Sequence, residues 1–297
     1  MPGTLHVSPA IPLYVTAGFF LSSLDATAKI LVPDYPVWWI VWARYFGHVL
    51  VVVPLAWTKL GPGFWRTGKP LLQLGRSSFL LGATLLFFTA LRYLPLAEAS
   101  AIAFLAPMII IVLSGPLLGE VVPRARWAAV GVGFAGVLLV TRPGSAAFHP
   151  AALLMLGTAL FNALYQLLTR KLTDDSPYTT LFYSGVVGAI AFTILLPFLA
   201  PHPLPGPRDV LLFLLLGILG GVGHLFMILA FMQGEASQLT PFGYLQMLWP
   251  LALGWVLFGQ FPDAISITGM CIVLVGGLWL AWQERRRRQA LIAPPMD

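Results

Sequence analysis

The segment Phe87 to Glu120, FFTALRYLPLAEASAIAFLAPMIIIVLSGPLLGE, returns in a looser copy at Phe226 to Gln260, FMILAFMQGEASQLTPFGYLQMLWPLALGWVLFGQ. Both begin with an apolar helix and break at a Glu-Ala-Ser linker, Glu98 to Ser100 in the first and Glu235 to Ser237 in the second. Both then continue through an apolar helix interrupted by proline and close on Gly-Glu or Gly-Gln. A repeat of this length and order marks two related halves, and we place them at 1–145 and 146–297.

Composition decides where such helices reside. Of 297 residues, 58% are hydrophobic and 9% charged, too apolar a balance for a soluble domain. About 20 apolar residues cross the roughly 30 Å of hydrocarbon in a bilayer. Such runs predict ten helices, at 10–31, 36–57, 72–93, 95–117, 124–141, 150–170, 178–200, 209–232, 236–259 and 263–283. The runs do not alternate in polarity, which excludes a transmembrane barrel. The first is too long, and lacks the basic flank, to be a cleaved signal. The single Cys271 allows no internal disulfide.

If the N-terminus is cytoplasmic, the inner side carries Lys59, Arg66, Lys69, Arg76, Arg124, Arg126, Arg170, Lys171 and Arg285 to Arg288. The outer side then carries Lys29, Arg92, Arg142 and Arg208. This asymmetry puts both termini inside. The net charge of +6 comes from residues at membrane edges, so the basic tail reads as an anchor on anionic lipid and not as a nucleic-acid surface.

Within the first run, Tyr14, Gly18, Ser22, Asp25 and Lys29 share one helix face. Asp25 and Lys29 read either as an i,i+4 pair near the outer surface or as part of a substrate path. In the second run Trp38 and Trp39 read as interface anchors, Trp42 lies on the same stripe as Trp38, and Arg44 lies too deep to reach water and requires a partner. Gly63, Gly68 and Lys69 resemble part of a phosphate-binding loop, but Pro70 stands where Ser or Thr is required and no strand precedes it. Pro107 and Pro116 predict a bent fourth run. The glycines of runs five and ten read as close-packing scaffold.

In run six, Thr158, Asn162 and Gln166 share a face, with Tyr165 adjacent. Shifting the first run by 141 residues brings Asp25 onto Gln166, Lys29 onto Arg170 and Pro36 onto Pro177. His224 in run eight reads as a packing group or a proton carrier. Run nine carries Pro241 and Pro250 and aligns Phe242, Gln246 and Trp249. The expected binding set is therefore Ser22, Asp25, Trp42, Phe104, Asn162, Tyr165, Gln166, His224, Phe242, Gln246 and Trp249, with hinges at Pro107, Pro241 and Pro250. An apolar lining with a few convergent polar groups suits a small, partly apolar solute.

Five crossings in each half force the halves into opposite orientations, and inverted repeats suit alternating access around a site between them. Prolines in the broken helices would leave backbone groups for a ligand to satisfy. No cofactor is expected. An intramembrane hydrolase would require a nucleophile with its base, or a second membrane aspartate, and neither is present. The five histidines are too scattered for a zinc pair. A channel remains the alternative of a different class, although polar rings are sparse.

The chain is similar to the drug/metabolite transporter superfamily and its EamA-type members. The resemblance rests on the ten-span plan, Pro36 with Arg44 eight residues later, the Leu96, Ala99, Ala101 and Pro107 pattern, Leu118-Gly119-Glu120, and Gly136 to Gly144. It implies a secondary transporter in the bacterial inner membrane, a monomer or weak oligomer, exporting small metabolites. In length and plan it is similar to the aromatic amino-acid exporter branch, which implies aromatic or apolar amino acids; other members import riboflavin or S-adenosylmethionine. Two departures stand out: Gln260 replaces Glu120 in the second copy, and Gly185 replaces Arg44.

Overall fold

The computed structural model describes residues 9–118, 124–172, 174–199, 204–233, 239, 242, 243 and 245–292. These form eleven helices and no strand: α1 Ala10–Leu31, α2 Val37–Leu60, α3 Pro70–Leu91, α4 Leu96–Ala103, α5 Ala106–Leu118, α6 Arg124–Thr141, α7 Ala151–Thr169, α8 Pro177–Leu195, α9 Pro207–Gln233, α10 Leu248–Phe258 and α11 Ala264–Ile292. A 3-10 turn, Leu196–Phe198, extends α8. Seven helical segments are long and apolar enough to cross a membrane, among them Leu96–Leu117, which runs through the α4–α5 break. Two more apolar helices are shorter, Arg126–Thr141 and Leu248–Phe258. The 22-residue α1 carries Asp25 and Lys29, which lower its hydropathy.

Local sequence explains the helix ends. Pro70 and Pro177 open α3 and α8 at a position whose N–H has no intrahelical acceptor, and Ser176 accepts a hydrogen bond from the Tyr178 amide ahead of α8. The same reasoning relocates the expected hinge. Pro107 is the second residue of α5, where its missing N–H costs little, and the break lies before it at Phe104–Leu105. There the chain tightens instead of opening: the Leu105 amide bonds the Ile102 carbonyl at 3.0 Å and the Met108 amide bonds the Leu105 carbonyl at 2.9 Å. Pro250 likewise falls in the first turn of α10, after amide bonds from Gln246 to Gly243 and from Trp249 to Gln246, each at 3.1 Å. The backbone groups at these described turns are thus met locally and not held open for a ligand. Pro241 and the Glu235 to Ser237 linker lie outside the described residues, as do Gly119 and Glu120. Within the described part of run nine, α10 begins at Leu248 after a turn at Gln246 and Met247.

The packing exchanges the two halves. The α1–α9 pair corresponds to α7–α3, and the α2–α9 pair to α8–α3, while α2–α8 and α6–α11 pair equivalent helices with each other. Glycine permits the closest of these crossings. A Cβ on Gly47 would lie 2.6 Å from the Gly217 Cα, and a Cβ on Gly136 would lie 2.7 Å from the Gly269 carbonyl oxygen. Both pairs bring helix backbones into contact, which is how helices gain dispersion energy where no hydrophobic effect separates protein from solvent.

Loop contacts sort the chain into two ends. At one end Lys69 pairs with Asp174 at 2.9 Å, the Thr179 hydroxyl bonds the Phe64 carbonyl at 2.8 Å, and the Tyr183 hydroxyl bonds the Trp65 carbonyl at 3.0 Å. At the other, Tyr35 donates to Asp209 at 2.7 Å, Tyr93 stacks on His149, and Arg142 pairs with Asp263. Gly47→Val should force α2 and α9 apart, costing about 1–3 kcal/mol as overpacking does. We expect a lower melting temperature in detergent; an unchanged value would show that the glycine contact does not hold these helices.

Candidate functional site

The polar stripe of α1 faces the protein interior along its whole length. At one end Gln246 donates to the Tyr14 carbonyl at 3.0 Å and packs on Gly18, where a Cβ would come within 2.5 Å of the Gln246 side chain. At the other end the buried Lys29 donates to the Leu91 and Leu94 carbonyls at 3.0 and 2.6 Å, and its ammonium lies 5.6 Å from the Phe258 ring centroid. Lys29 therefore caps α3 and does not pair with Asp25. Arg92 completes the exchange by donating to the Val32 and Tyr35 carbonyls just past α1.

Ser22 and Asp25 sit between these anchors. Ser22 is buried and Asp25 half-buried. The Arg44 guanidinium donates to Thr84 and lies 5.1 and 5.6 Å from the Tyr45 and Phe88 ring centroids. Tyr45 shares the same Thr84 hydroxyl at 2.8 Å. No direct salt bridge joins Arg44 to Asp25. The His48 ring meets the His224 ring edge-on at 5.6 Å, and its Nε2 lies 3.2 Å from the Leu181 carbonyl. Ser22 and Asp25 on α1, Arg44, Tyr45 and His48 on α2, Thr84 on α3 and His224 on α9 thus lie on helices that pack together through α3 and α9.

The expected binding residues fall into several places. Ser22, Asp25 and His224 belong to this cluster. Gln246 lies two turns away along α1, and Trp249 packs edge-on against Phe19 at 5.1 Å on the same flank. Phe242 is half-buried, and Phe104 forms the turn between α4 and α5. Trp42 sits elsewhere, on the outer seam between α2 and α8, bonding Thr193 at 3.0 Å and stacking on the exposed Phe46. The α7 stripe runs out of the core: Thr158 is buried, Asn162 half-buried and Gln166 exposed. Tyr165 turns instead beneath Arg76, whose guanidinium lies 4.8 Å from its ring centroid. Arg76, expected in a cytoplasmic loop, is fully buried in α3 and donates to Thr169, the Thr180 carbonyl and Ser184. The sequence marks Arg44 as needing a partner and puts Tyr45 on the Trp38–Trp42 stripe beside it, but neither is in the expected set, which also lacks Thr84 and His48. Spacing offered one signal, since His48 follows Arg44 by one helical turn.

A cavity of about 660 Å³ opens near the Tyr35 end, lined by Asp34, Trp38, Thr89, Arg92, Phe192 and Leu199 among others. Trp38, expected as an interface anchor, lines it, and its indole N–H is buried without a partner. Among the described residues no group of three or more His, Cys, Asp or Glu is placed to hold a metal ion.

The EamA-like transporter family model matches residues 8–142 and 149–282, each half once. The chain belongs to the EamA-like transporter family. Among EamA relatives, the S-adenosylmethionine uptake transporter of Rickettsia conorii is 25% identical over 289 residues, covering 94% of this chain and 97% of the relative. The riboflavin transporter of Rhizobium johnstonii is 30% identical over 237 residues, 78% of this chain and 76% of its own. The pseudopaline exporter CntI of Pseudomonas aeruginosa is 29% identical over 275 residues, 91% and 94% of the two chains. A crystal structure of a protein 21% identical to this one superposes with a TM-score of 0.66, covering 94% of this chain and 98% of that one, and so shares the fold. This EamA-like protein is a multi-pass membrane transporter by family.

The Arg142–Asp263 ion pair sets a pH response. Arg142 and the Ser266 amide hold the Asp263 carboxyl below its ordinary range. A depressed folded-state value stabilises the fold above the unfolded value near about 4, and that contribution disappears as pH falls through the folded value. Asp263→Asn should therefore flatten the loss of melting temperature below about pH 4; a variant with the same acid profile as the parent would show that this pair adds nothing.

Proposed function

We propose that the chain is a secondary transporter working by alternating access between two inverted five-helix repeats, 1–145 and 146–297, through ten crossings. Both termini are cytoplasmic in this reading, and the membrane is a bacterial inner membrane. The observation that carries it is the exchanged packing of a repeat the family model matches twice: α1 on α9 corresponds to α7 on α3. The loops of each half also meet loops of the other at opposite ends, as an odd number of crossings per half requires. Each half can then adopt the other's shape, opening the site first to one side and then to the other.

The substrate in this proposal is a small metabolite, an amino acid with an aromatic or apolar side chain, carried outward. Supporting it are the rings near the polar cluster, Phe88 and Tyr45 beside Arg44 and Trp249 on the Gln246 flank. The relative named for pseudopaline export supports the direction. Uptake of riboflavin or S-adenosylmethionine is the second reading, favoured by the names of two other relatives. The channel alternative is disfavoured because Lys29, Arg44 and Arg76 are each engaged by carbonyls or hydroxyls within the protein instead of forming rings along a passage.

In proteoliposomes the protein should exchange labelled substrate against unlabelled substrate with saturation and without ATP. Flux that needs ATP, or that never saturates and shows no trans-stimulation, would contradict the carrier. Reporter fusions at Ser145 and at the C-terminus should report opposite sides of the membrane; the same side for both would remove the inverted-repeat argument.

A further inference from the structure

The cavity of about 660 Å³ at the Tyr35 end lies on the seam between the halves, with α2 and α3 on one side and the end of α8 on the other. Its volume falls in the range of small-molecule sites, roughly 300–1,000 Å³. The polar and apolar parts of its wall are separated by depth. Asp34 and Arg92 stand at the mouth, each just beyond a helix end and exposed. Leu85 lies two helical turns before Arg92 on α3, about 10 Å further in at 1.5 Å per residue, and Trp38, Phe192 and Leu195 supply apolar wall.

Two polar groups of the wall are already committed: the Tyr35 hydroxyl donates to Asp209 at 2.7 Å and the Thr89 hydroxyl to the Leu85 carbonyl at 2.7 Å. Asp34 and Arg92 remain. Arg92 uses Nε and Nη2 on the Val32 and Tyr35 carbonyls, which leaves the N–H groups of Nη1 to donate. Although the two opposite charges line one cavity, among the described residues no ion pair or hydrogen bond joins them. The mouth therefore offers a charged donor and a charged acceptor to an occupant. The α8 wall shows where that occupant comes from. Leu195 lines the cavity and is itself 46% exposed, beside Ile194 at 61% and Phe198 at 84%. On the outside of a membrane helix such side chains meet acyl chains, which are as apolar as they are.

We infer that the cavity is a site for an aminophospholipid of the bilayer, with its phosphate at Arg92, its ammonium at Asp34 and the start of one acyl chain running past Leu195 and Phe192 toward Leu85. The phosphate oxygens accept from the guanidinium, and the primary ammonium donates to the carboxylate. A phosphate without an ammonium meets only one of the two charges and is repelled by the other. Polar groups at the helix ends, with apolar wall running inward, match a lipid in its own leaflet, head at the membrane edge and chain toward the midplane. A soluble metabolite has no use for a wall continuous with the lipid-facing surface. The volume suffices for a headgroup and the first part of one chain, and the remainder stays in the bilayer. The inference is independent of what the protein carries.

Native mass spectrometry of the delipidated full-length protein, titrated with phosphatidylethanolamine, phosphatidylglycerol and diacylglycerol of identical acyl chains, measures the binding. These lipids carry both head charges, the phosphate alone, and neither. Because the two protein charges are exposed and screened, each head charge should change Kd by roughly two- to fivefold, with phosphatidylethanolamine tightest and diacylglycerol weakest. Asp34→Asn should erase the preference for phosphatidylethanolamine over phosphatidylglycerol at an unchanged lipid-free melting temperature. Arg92→Gln should bring both phospholipids toward diacylglycerol. Arg92 also caps α1, so if that variant unfolds, the headgroup order in the parent and the Asp34→Asn result decide the matter. Leu85→Trp, which fills the inner end of the cavity, should weaken both phospholipids alike. Equal binding of the three lipids to the parent, or a preference that survives Asp34→Asn, overturns the inference, as does binding that Leu85→Trp leaves unchanged. Displacement of bound phosphatidylethanolamine by riboflavin or S-adenosylmethionine overturns it too, by putting the cavity on the substrate path. So does O-phosphoethanolamine, the head without chains, if it binds as tightly as the lipid.

Discussion

A carbonyl at a helix end buried in protein has no water to meet it, and the protein must supply the donor. Lys29 and Arg92 do this reciprocally: the cation on α1 caps the end of α3, and the cation after α3 caps the end of α1. The exchange ties the two helices at one end. With Lys29 so engaged, the polar face of α1 cannot rotate toward lipid, and Asp25 one turn below is held facing the interior. The arrangement of the central cluster depends on this exchange.

The scaffold is two-fold in its pairings, but the chemistry is not. Gly185 stands where the repeat places Arg44, and the structure gives a reason: a Cβ there would lie 2.3 Å from a His48 ring carbon. The imidazole fills the volume that a second large side chain would require. Gln166, the counterpart of Asp25, is exposed near the end of α7, so the second half contributes neither charge. His224 from α9 is the second half's main polar contribution to the cluster. A carrier can exchange the shapes of its halves while keeping all its charge on one of them, because the helix crossings and not the binding residues must be interchangeable.

The helices were legible in the sequence because a bilayer imposes a length on apolar runs; α1 begins and ends at the expected residues, Ala10 and Leu31. Close packing at the glycines of α6 and α11 was legible for the same kind of reason, since small residues have few other uses there. Partners were not legible. The Asp25–Lys29 spacing fits a helical ion pair, but α3 offered Lys29 two carbonyls, a long-range option invisible to local periodicity. The break in the fourth run was anticipated, but its place was shifted, because proline prefers the start of the following helix to the bend itself. A shared helix face also implied that Thr158, Asn162 and Gln166 point to one site. A neighbour that covers only part of a helix splits such a stripe into buried and exposed portions, as happens here along α7.

The central claim is that the two ends of the molecule open in alternation around the α1–α2–α3–α9 cluster. Electron–electron distance measurements in lipid nanodiscs test it directly, using spin labels in a Cys271→Ser background at Lys69 and Asp174 for one end, and at Tyr35 and Asp209 for the other. The account predicts two distance populations for each pair, with conditions that enrich the long distance at one end enriching the short distance at the other. Distances that widen together, or a single fixed distance at both ends with and without transported substrate, would contradict it.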